Sequence, residues 1–270
     1  VTTLLQADLN PDASMPKLFF QQSGSGPLVL LLHPVGLDRT FWAGLPERLA
    51  ETHMVIAVDT AGHGNSPDAV RPGRMQDRID DIVELLSALN QGPATLLGVS
   101  FGGMIAQQVA LARPDLVSGL ILAGCPGAIP ATAQDAMRKR GADAELHGMS
   151  AVTDATLERW FTPDFLSTDD VRRVADRLLA DKPSNWAAAW EAVAEHDALE
   201  RLKSLDIPAL VIAGEKDAAT SLDAKRALAA AIPGSRLTIL PGAPHIMQIE
   251  CPDAFAEAVT GFLNEQKATS

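Results

Sequence analysis

The sequence predicts an α/β protein: a mostly parallel central sheet, helices on both faces, and a helical cap. Three observations predict it. Short apolar runs recur and stop at Gly, Pro, Asp or His; longer amphipathic stretches separate them; and the alternation fails once, between about residues 126 and 206. A chain of 270 residues with 47% hydrophobic content can bury a core of this kind without disulfide or metal staples.

The short runs are Leu28–Leu32, Val55–Val58, Ala94–Leu97, Leu120–Ala123, Ala209–Ala213 and Leu237–Leu240. They lack the polar–apolar alternation of half-exposed strands, so they read as parallel strands covered on both faces. Lys17–Gln22, ahead of Pro27, reads as an antiparallel edge. Between the runs, Phe41–Glu51, Met75–Leu89, Gly102–Ala112, Leu222–Ala231 and Pro252–Leu263 carry helical periodicity and read as crossover helices. Pro114 and Pro233 stand just beyond two of them, where a helix stops. From Pro126 to Asp206 no short buried strand occurs, and the stretch holds Trp160, Trp186 and Trp190 among many charges. Ile207-Pro208 then resumes the strand pattern. One crossover seldom needs so many residues. Residues 126–206 therefore read as a cap inserted into a core made of 1–125 and 207–270; a series of ordinary crossover helices is the plainer alternative.

Composition excludes several function classes. Lys+Arg 22 against Asp+Glu 34 gives a net charge of −12, which argues against a nucleic-acid groove or an anionic membrane surface as partner. A small molecule is the expected partner, and an anionic one needs a local cation. Cys125 and Cys251 are the only cysteines, so neither a disulfide framework nor a multi-cysteine zinc site is expected; this fits a reducing cytoplasm. The apolar runs fall far short of the ~18 residues a membrane span needs. The chain begins at Val1 rather than Met, which leaves a removed leader open. It carries no Walker or Rossmann glycine run, and its histidines lack metal-ligand spacing, so no cofactor and no metal are expected. A homo-oligomer is compatible with all of this.

The most specific signal is Gly98-Val99-Ser100-Phe101-Gly102-Gly103, placed after one expected strand and at the start of one expected helix. Gly-x-Ser-x-Gly in that context is a nucleophile elbow, a turn so tight that a Cβ at the flanking glycines clashes. A serine hydroxyl needs a base, and the elbow predicts the order Ser, acid, His along the chain. Ala209–Ala213 is followed by Gly214-Glu215-Lys216-Asp217, and Leu237–Leu240 by Pro241-Gly242-Ala243-Pro244-His245. Both lie just past strand C-termini, where parallel sheets place their ligands. His245 is the expected base and Asp217 the expected acid, with Glu215 and Asp223 as rivals. An oxyanion hole needs two N–H donors. Phe101, directly after the nucleophile, supplies one. In His33-Pro34-Val35-Gly36, Pro34 has no N–H, so Val35 is the expected second. His33 and His63 are placed to shape the site.

These motifs, with Asp59-Thr60-Ala61-Gly62-His63-Gly64-Asn65-Ser66, resemble the α/β-hydrolase superfamily in content and order over nearly the whole chain. Ala61 stands where that family often has Arg, a departure at a structural position. Within the superfamily the chain is most similar to 3-oxoadipate enol-lactonases. Leu37-Asp38-Arg39-Thr40-Phe41-Trp42, Gly148-Met149-Ser150-Ala151, Leu157-Glu158-Arg159-Trp160-Phe161-Thr162-Pro163 and the His245 region carry that similarity. The resemblance implies a cofactor-free serine hydrolase acting on a small ester or lactone of aromatic catabolism. It implies substrate contacts at His33, Arg39, Trp42, Arg138, Trp160 and Ile246. An acidic lactone needs a cation, for which Arg39, Arg138 and Arg140 are the candidates.

The same triad also serves carboxylesterases, amidases, thioesterases and carbon–carbon bond hydrolases, and a perhydrolase-like side activity is open. Ser100 in place of an aspartate nucleophile disfavours a dehalogenase or an epoxide hydrolase. A non-catalytic binding protein on this fold is the reading from another class. Trp186 and Trp190 read by default as cap core, Arg138-Lys139-Arg140 as a solvated face, and Cys125 as a small buried residue.

Overall fold

The computed structural model describes residues 16–269. The expected start of the core at residue 1 lies outside them. In chain order the elements are β1 (Phe20–Ser23), β2 (Leu28–Leu32), α1 (Leu45–Leu49), β3 (Met54–Val58), α2 (Met75–Leu89), β4 (Ala94–Val99), α3 (Phe101–Ala112) and β5 (Val117–Ala123). Then follow α4 (Ala131–His147), α5 (Ser150–Trp160), α6 (Asp169–Leu179), α7 (Pro183–Ala194), β6 (Ala209–Gly214), α8 (Leu222–Ala231), β7 (Arg236–Leu240), α9 (Met247–Glu250) and α10 (Pro252–Thr269).

The seven strands form one sheet in the order β1-β3-β2-β4-β5-β6-β7. Only β1 is antiparallel, paired with β3 from Phe20↔Val58 to Ser23↔Val55; the other pairings are parallel. Strand side chains alternate between two apolar layers. Leu28, Leu30 and Leu32 of β2 join Ile79, Ile82 and Leu86 of α2 and most of α3 on one face. Val29 and Leu31 face Leu45 and Leu49 of α1 and Phe255, Val259 and Phe262 of α10 on the other. Both faces are therefore dry, which is why the strands read as continuous apolar runs.

The strand ends differ from the sequence reading by a few residues, for local reasons. The edge strand starts at Phe20 rather than Lys17. The stretch Phe41–Glu51 yields only the five-residue α1, because Ala43 (φ 46°) and Gly44 (φ 80°) are left-handed and the helix starts afresh at Leu45-Pro46. At the other end α10 runs past Leu263 to Thr269, since no Gly or Pro stops it.

Residues 126–206 add no strand to the sheet and form four helices, α4 to α7. The chain leaves after β5 and returns to its neighbour β6 through a narrow neck. There Ile129 N–H donates to the His196 carbonyl (2.8 Å) and Ala198 N–H to that of Gly127 (2.9 Å). The four helices share the apolar layer of the α2–α3 face through Ala144, Trp160, Val174, Leu178, Trp186 and Trp190. Val171, Val174 and Leu178 bury one stripe of α6, whose first turn is capped by Thr168 Oγ1 accepting from Val171 N–H. Trp186, fully buried, reaches the loop after β2: a Cβ at Gly36 (φ 74°) would sit 2.7 Å from its ring. No helix among the described residues is long and apolar enough to cross a membrane.

Trp186 thus carries much of the contact between the inserted helices and the loop at the end of β2. Trp186→Ala is expected to lower unfolding free energy by about 3–5 kcal/mol, measured by urea denaturation. A loss below ~1 kcal/mol would mean that the two parts are held together elsewhere.

Candidate active site

β4 is the central strand, and its C-terminal end sets the site. Ser100 follows Val99 with φ 53° and ψ −114°, a left-handed conformation strained for a residue with a side chain, at a cost of about 1–3 kcal/mol. The turn is held by Ser100 N–H donating to the Ala123 carbonyl (2.8 Å) and Met104 N–H donating to the Ser100 carbonyl (3.1 Å). A Cβ on Gly98 would collide with the Gly102 backbone, and one on Gly102 with the Leu32 carbonyl. The glycines let α3 start directly against β2 and β4, so the serine stands at the helix N-terminus.

The loops after β6 and β7 bring two more side chains to Ser100. Glu215 N–H donates to the Leu240 carbonyl (3.1 Å) and Lys216 N–H to that of Ala243 (2.9 Å), which locks one loop to the other. His245 Nε2 then lies 3.0 Å from Ser100 Oγ, and Nδ1 lies 3.0 Å from both carboxylate oxygens of Asp217. A carboxylate only accepts, so Nδ1 carries the proton and Nε2 is left to accept from the serine. The Asp217 side chain is fully buried and well supplied with donors. Ala219 N–H (2.8 Å) and Thr220 N–H (2.9 Å) donate to Oδ1, and Lys225 Nζ (2.6 Å) to Oδ2. Burial alone would raise its carboxyl. The attraction of His245, the hydrogen bond from it, and Lys225 outweigh burial and hold it well below the usual carboxylate range.

The rival acids stand elsewhere. Glu215 accepts from Gly242 N–H (2.8 Å), and Asp223, in the first turn of α8, pairs with Arg226 (3.4 Å).

Val35, Ser100, Phe101 and His245 line a cavity of about 270 Å³ between the strand ends and the inserted helices. Phe101 is the first residue of α3, so its N–H has no acceptor within the helix. The walls are apolar: Met104, Ile129, Met137, Trp160, Trp190 and Val193. The Trp160 ring lies 6.4 Å from that of His245. Arg140 is the cation in the wall, its guanidinium stacked 4.6 Å over Trp190. Burial, then the neighbouring Arg159, lowers it to about 10, so it stays charged at neutral pH.

Five of the expected substrate contacts lie outside this cavity. Arg39 is spent on Asp59, donating from its backbone N–H (2.8 Å) and from Nη1 (2.5 Å), with its guanidinium over Phe19. Trp42 packs in the opposite apolar layer, and with Arg39 borders a separate hollow near β1 and β3. Arg138 points outward to Asp135 (3.4 Å); two residues on, roughly 200° around the helix, Arg140 rather than Arg138 takes the inner face of α4. Ile246 is fully buried, and its N–H donates to the Trp160 carbonyl (3.1 Å), so it holds the tryptophan without meeting the cavity. His33 sits behind the loop: Nε2 accepts from Thr60 N–H (3.0 Å), which leaves Nδ1–H to donate to the Pro34 carbonyl (2.8 Å). Burial lowers its basicity and keeps the ring neutral. Lys225 escaped the sequence reading altogether. The signal was its place with Leu228 and Ala231 on the buried stripe of α8.

With sheet, elbow and site in view, the class is defined. The alpha/beta hydrolase fold family matches residues 27–252, and the chain belongs to it and is a hydrolase. Among relatives, it is 32% identical over 235 residues to 3-oxoadipate enol-lactonase 2 of Acinetobacter baylyi, covering 86% of this chain and 87% of that protein. It is 30% identical over 256 residues to the pimeloyl-[acyl-carrier protein] methyl ester esterase of Chromobacterium violaceum, covering 92% and 99%. Among solved structures, the enol-lactonase from Burkholderia xenovorans superposes with a TM-score of 0.87 at 30% identity, covering 92% of this chain and 96% of that one.

The two acids of the β6 loop separate cleanly by substitution. Asp217→Asn is expected to lower kcat by about 10⁴-fold, because an amide that also donates disturbs the histidine tautomer. Glu215→Gln is expected to stay within about threefold of wild type. Steady-state rates on a chromogenic ester check both; a crippled Glu215→Gln beside an active Asp217→Asn would exchange their roles.

Proposed function

We propose that the protein hydrolyses a small carboxylic ester or lactone through an acyl-enzyme on Ser100. The observation that carries this reading is the continuous relay from Ser100 Oγ through His245 to Asp217, each step 3.0 Å, opening into an apolar cavity. His245 Nε2 takes the hydroxyl proton as Oγ attacks the carbonyl carbon. Negative charge collects on the carbonyl oxygen, where the N–H groups of Val35 and Phe101 receive it. As the tetrahedral adduct collapses, His245 returns the proton to the leaving oxygen. In a lactone that oxygen stays tethered to the acyl group. Water, deprotonated by His245, then attacks the ester on Ser100 and frees the acid. Asp217 keeps the imidazole oriented and stabilises its cationic form.

We further propose that the substrate carries a carboxylate. Arg140 supports this: it lines the cavity, no salt bridge to an acidic side chain occupies it among the described residues, and its stacking on Trp190 leaves the guanidinium edge for a bidentate partner. The relatives named as enol-lactonases of 3-oxoadipate point to the same chemistry. A local cation is needed because the chain as a whole carries −12 and repels anions at long range.

A fluorophosphonate probe is expected to label the wild type and to leave Ser100→Ala unlabelled, with ester turnover down roughly 10⁴-fold or more. Near-normal turnover in Ser100→Ala would end this reading.

The carboxylate is tested separately. Arg140→Ala should raise KM for an acidic enol-lactone about 10- to 100-fold, the worth of a charged hydrogen bond, and leave KM for p-nitrophenyl acetate nearly unchanged. If both substrates respond alike, a generic carboxylesterase replaces the acidic-lactone reading.

A further inference from the structure

Lys225 is a charged side chain where the fold has no obvious need of one. It stands on α8 with none of its surface exposed, on the stripe that Leu228 and Ala231 share. Its ammonium makes one contact of consequence, 2.6 Å to Asp217 Oδ2. That oxygen is also 3.0 Å from His245 Nδ1, so the cation and the imidazole flank a single carboxylate.

We propose that Lys225 is a positioning residue of the triad: its buried ammonium takes up part of the Asp217 charge, limits how far that carboxylate can stabilise the His245 imidazolium, and so sets the acidic limb of the pH–rate profile. This rests on the Ser100–His245–Asp217 reading above.

The charges around the pair leave this role to Lys225. Asp217 already has backbone donors at Oδ1, from Ala219 and Thr220, which fix its rotamer without help. Cys125, beyond β5, feels both charges, but burial pushes its thiol up to about 12 and it stays neutral. Glu215 is committed to Gly242 N–H, and Glu250, on α9, to Thr162. Arg140 lines the same cavity as His245 and is not hydrogen-bonded to either member of the pair. Lys225 and His245 are both bonded to Oδ2, which puts them within a Coulomb range where unit charges act strongly in a buried setting. The sign follows directly. With the cation present, a proton on His245 meets a half-neutralised carboxylate. With the cation removed, it meets a full negative charge, and the imidazolium persists to higher pH.

The experiment is the pH dependence of kcat/KM for neutral p-nitrophenyl acetate, on the full chain, in wild type, Lys225→Met and Lys225→Gln, with Ser100→Ala as control. Methionine removes bond and charge; glutamine keeps a donor and removes the charge. In both variants the acidic limb should move up by about one pH unit, in a chain that still folds but with a lowered thermal midpoint, since Asp217 stays buried and loses one of its partners. A limb unmoved in folded Lys225→Gln overturns the proposal, even where the plateau rate falls, because a purely structural lysine predicts that pattern. Loss of the fold in both neutral variants also overturns it, as the cation would then be holding the structure together. Wild-type turnover that survives Ser100→Ala would instead remove the triad reading itself.

Discussion

Ser100 keeps its left-handed backbone because hydrogen is the only substituent at residues 98, 102 and 103. Around that turn the rest of the architecture is determined. β4 must run uninterrupted to Val99, α3 must begin one residue after the serine, and β2 must lie close enough for its last carbonyl to touch Gly102. The sheet order places β4 in the middle, with three strands on each side. The C-terminal ends of β2, β6 and β7 therefore all fall within reach of one hydroxyl. A strain of a few kcal/mol at a single residue is sustained by two dry apolar layers that leave the elbow no room to relax.

The inserted helices are tied to that arrangement by bonds to the loops after β2 and β7. Arg177 of α6 donates from Nε to Asp38 (2.8 Å), in the loop after β2, while its Nη1 holds Asp181 (2.5 Å). Thr162 N–H donates to Glu250 (3.0 Å), five residues past His245, and Ile246 N–H to the Trp160 carbonyl. The helices over the cavity are thus fastened at the loop after β2 and at the loop that carries His245. Trp160 is therefore joined through its own carbonyl to the residue after His245, and α6 to the loop of Val35.

How much of this was legible in the sequence depended on how local each determinant is. Strands buried on both faces announce themselves by apolar runs, and the elbow by its glycines, because both constraints act within a few residues. That Asp217 and His245 meet beside Ser100 was legible from strand ends plus chain order. Arg39, Trp42 and Arg138 misled for one reason: nearness in sequence to a site loop or cap helix says nothing about which face a side chain takes. Arg39 turns back to Asp59, Trp42 drops through to the other apolar layer, and Arg138 sits on the outer face of α4, two residues from Arg140. Lys225 was hidden because a lone lysine in a helix normally lies on the solvated side; only its register with Leu228 and Ala231 hinted otherwise.

The neck at Gly127–Ile129 and His196–Ala198 has an evolutionary consequence. The chain exits and re-enters the sheet between two adjacent strands, across a pair of hydrogen bonds made by backbone atoms alone. Side-chain identity at the neck is therefore free to drift, whereas the segment beyond it must keep its bonds to Asp38, Ile246 and Glu250. A splice at these two points would leave the strand order intact and would have to renew those three clasps.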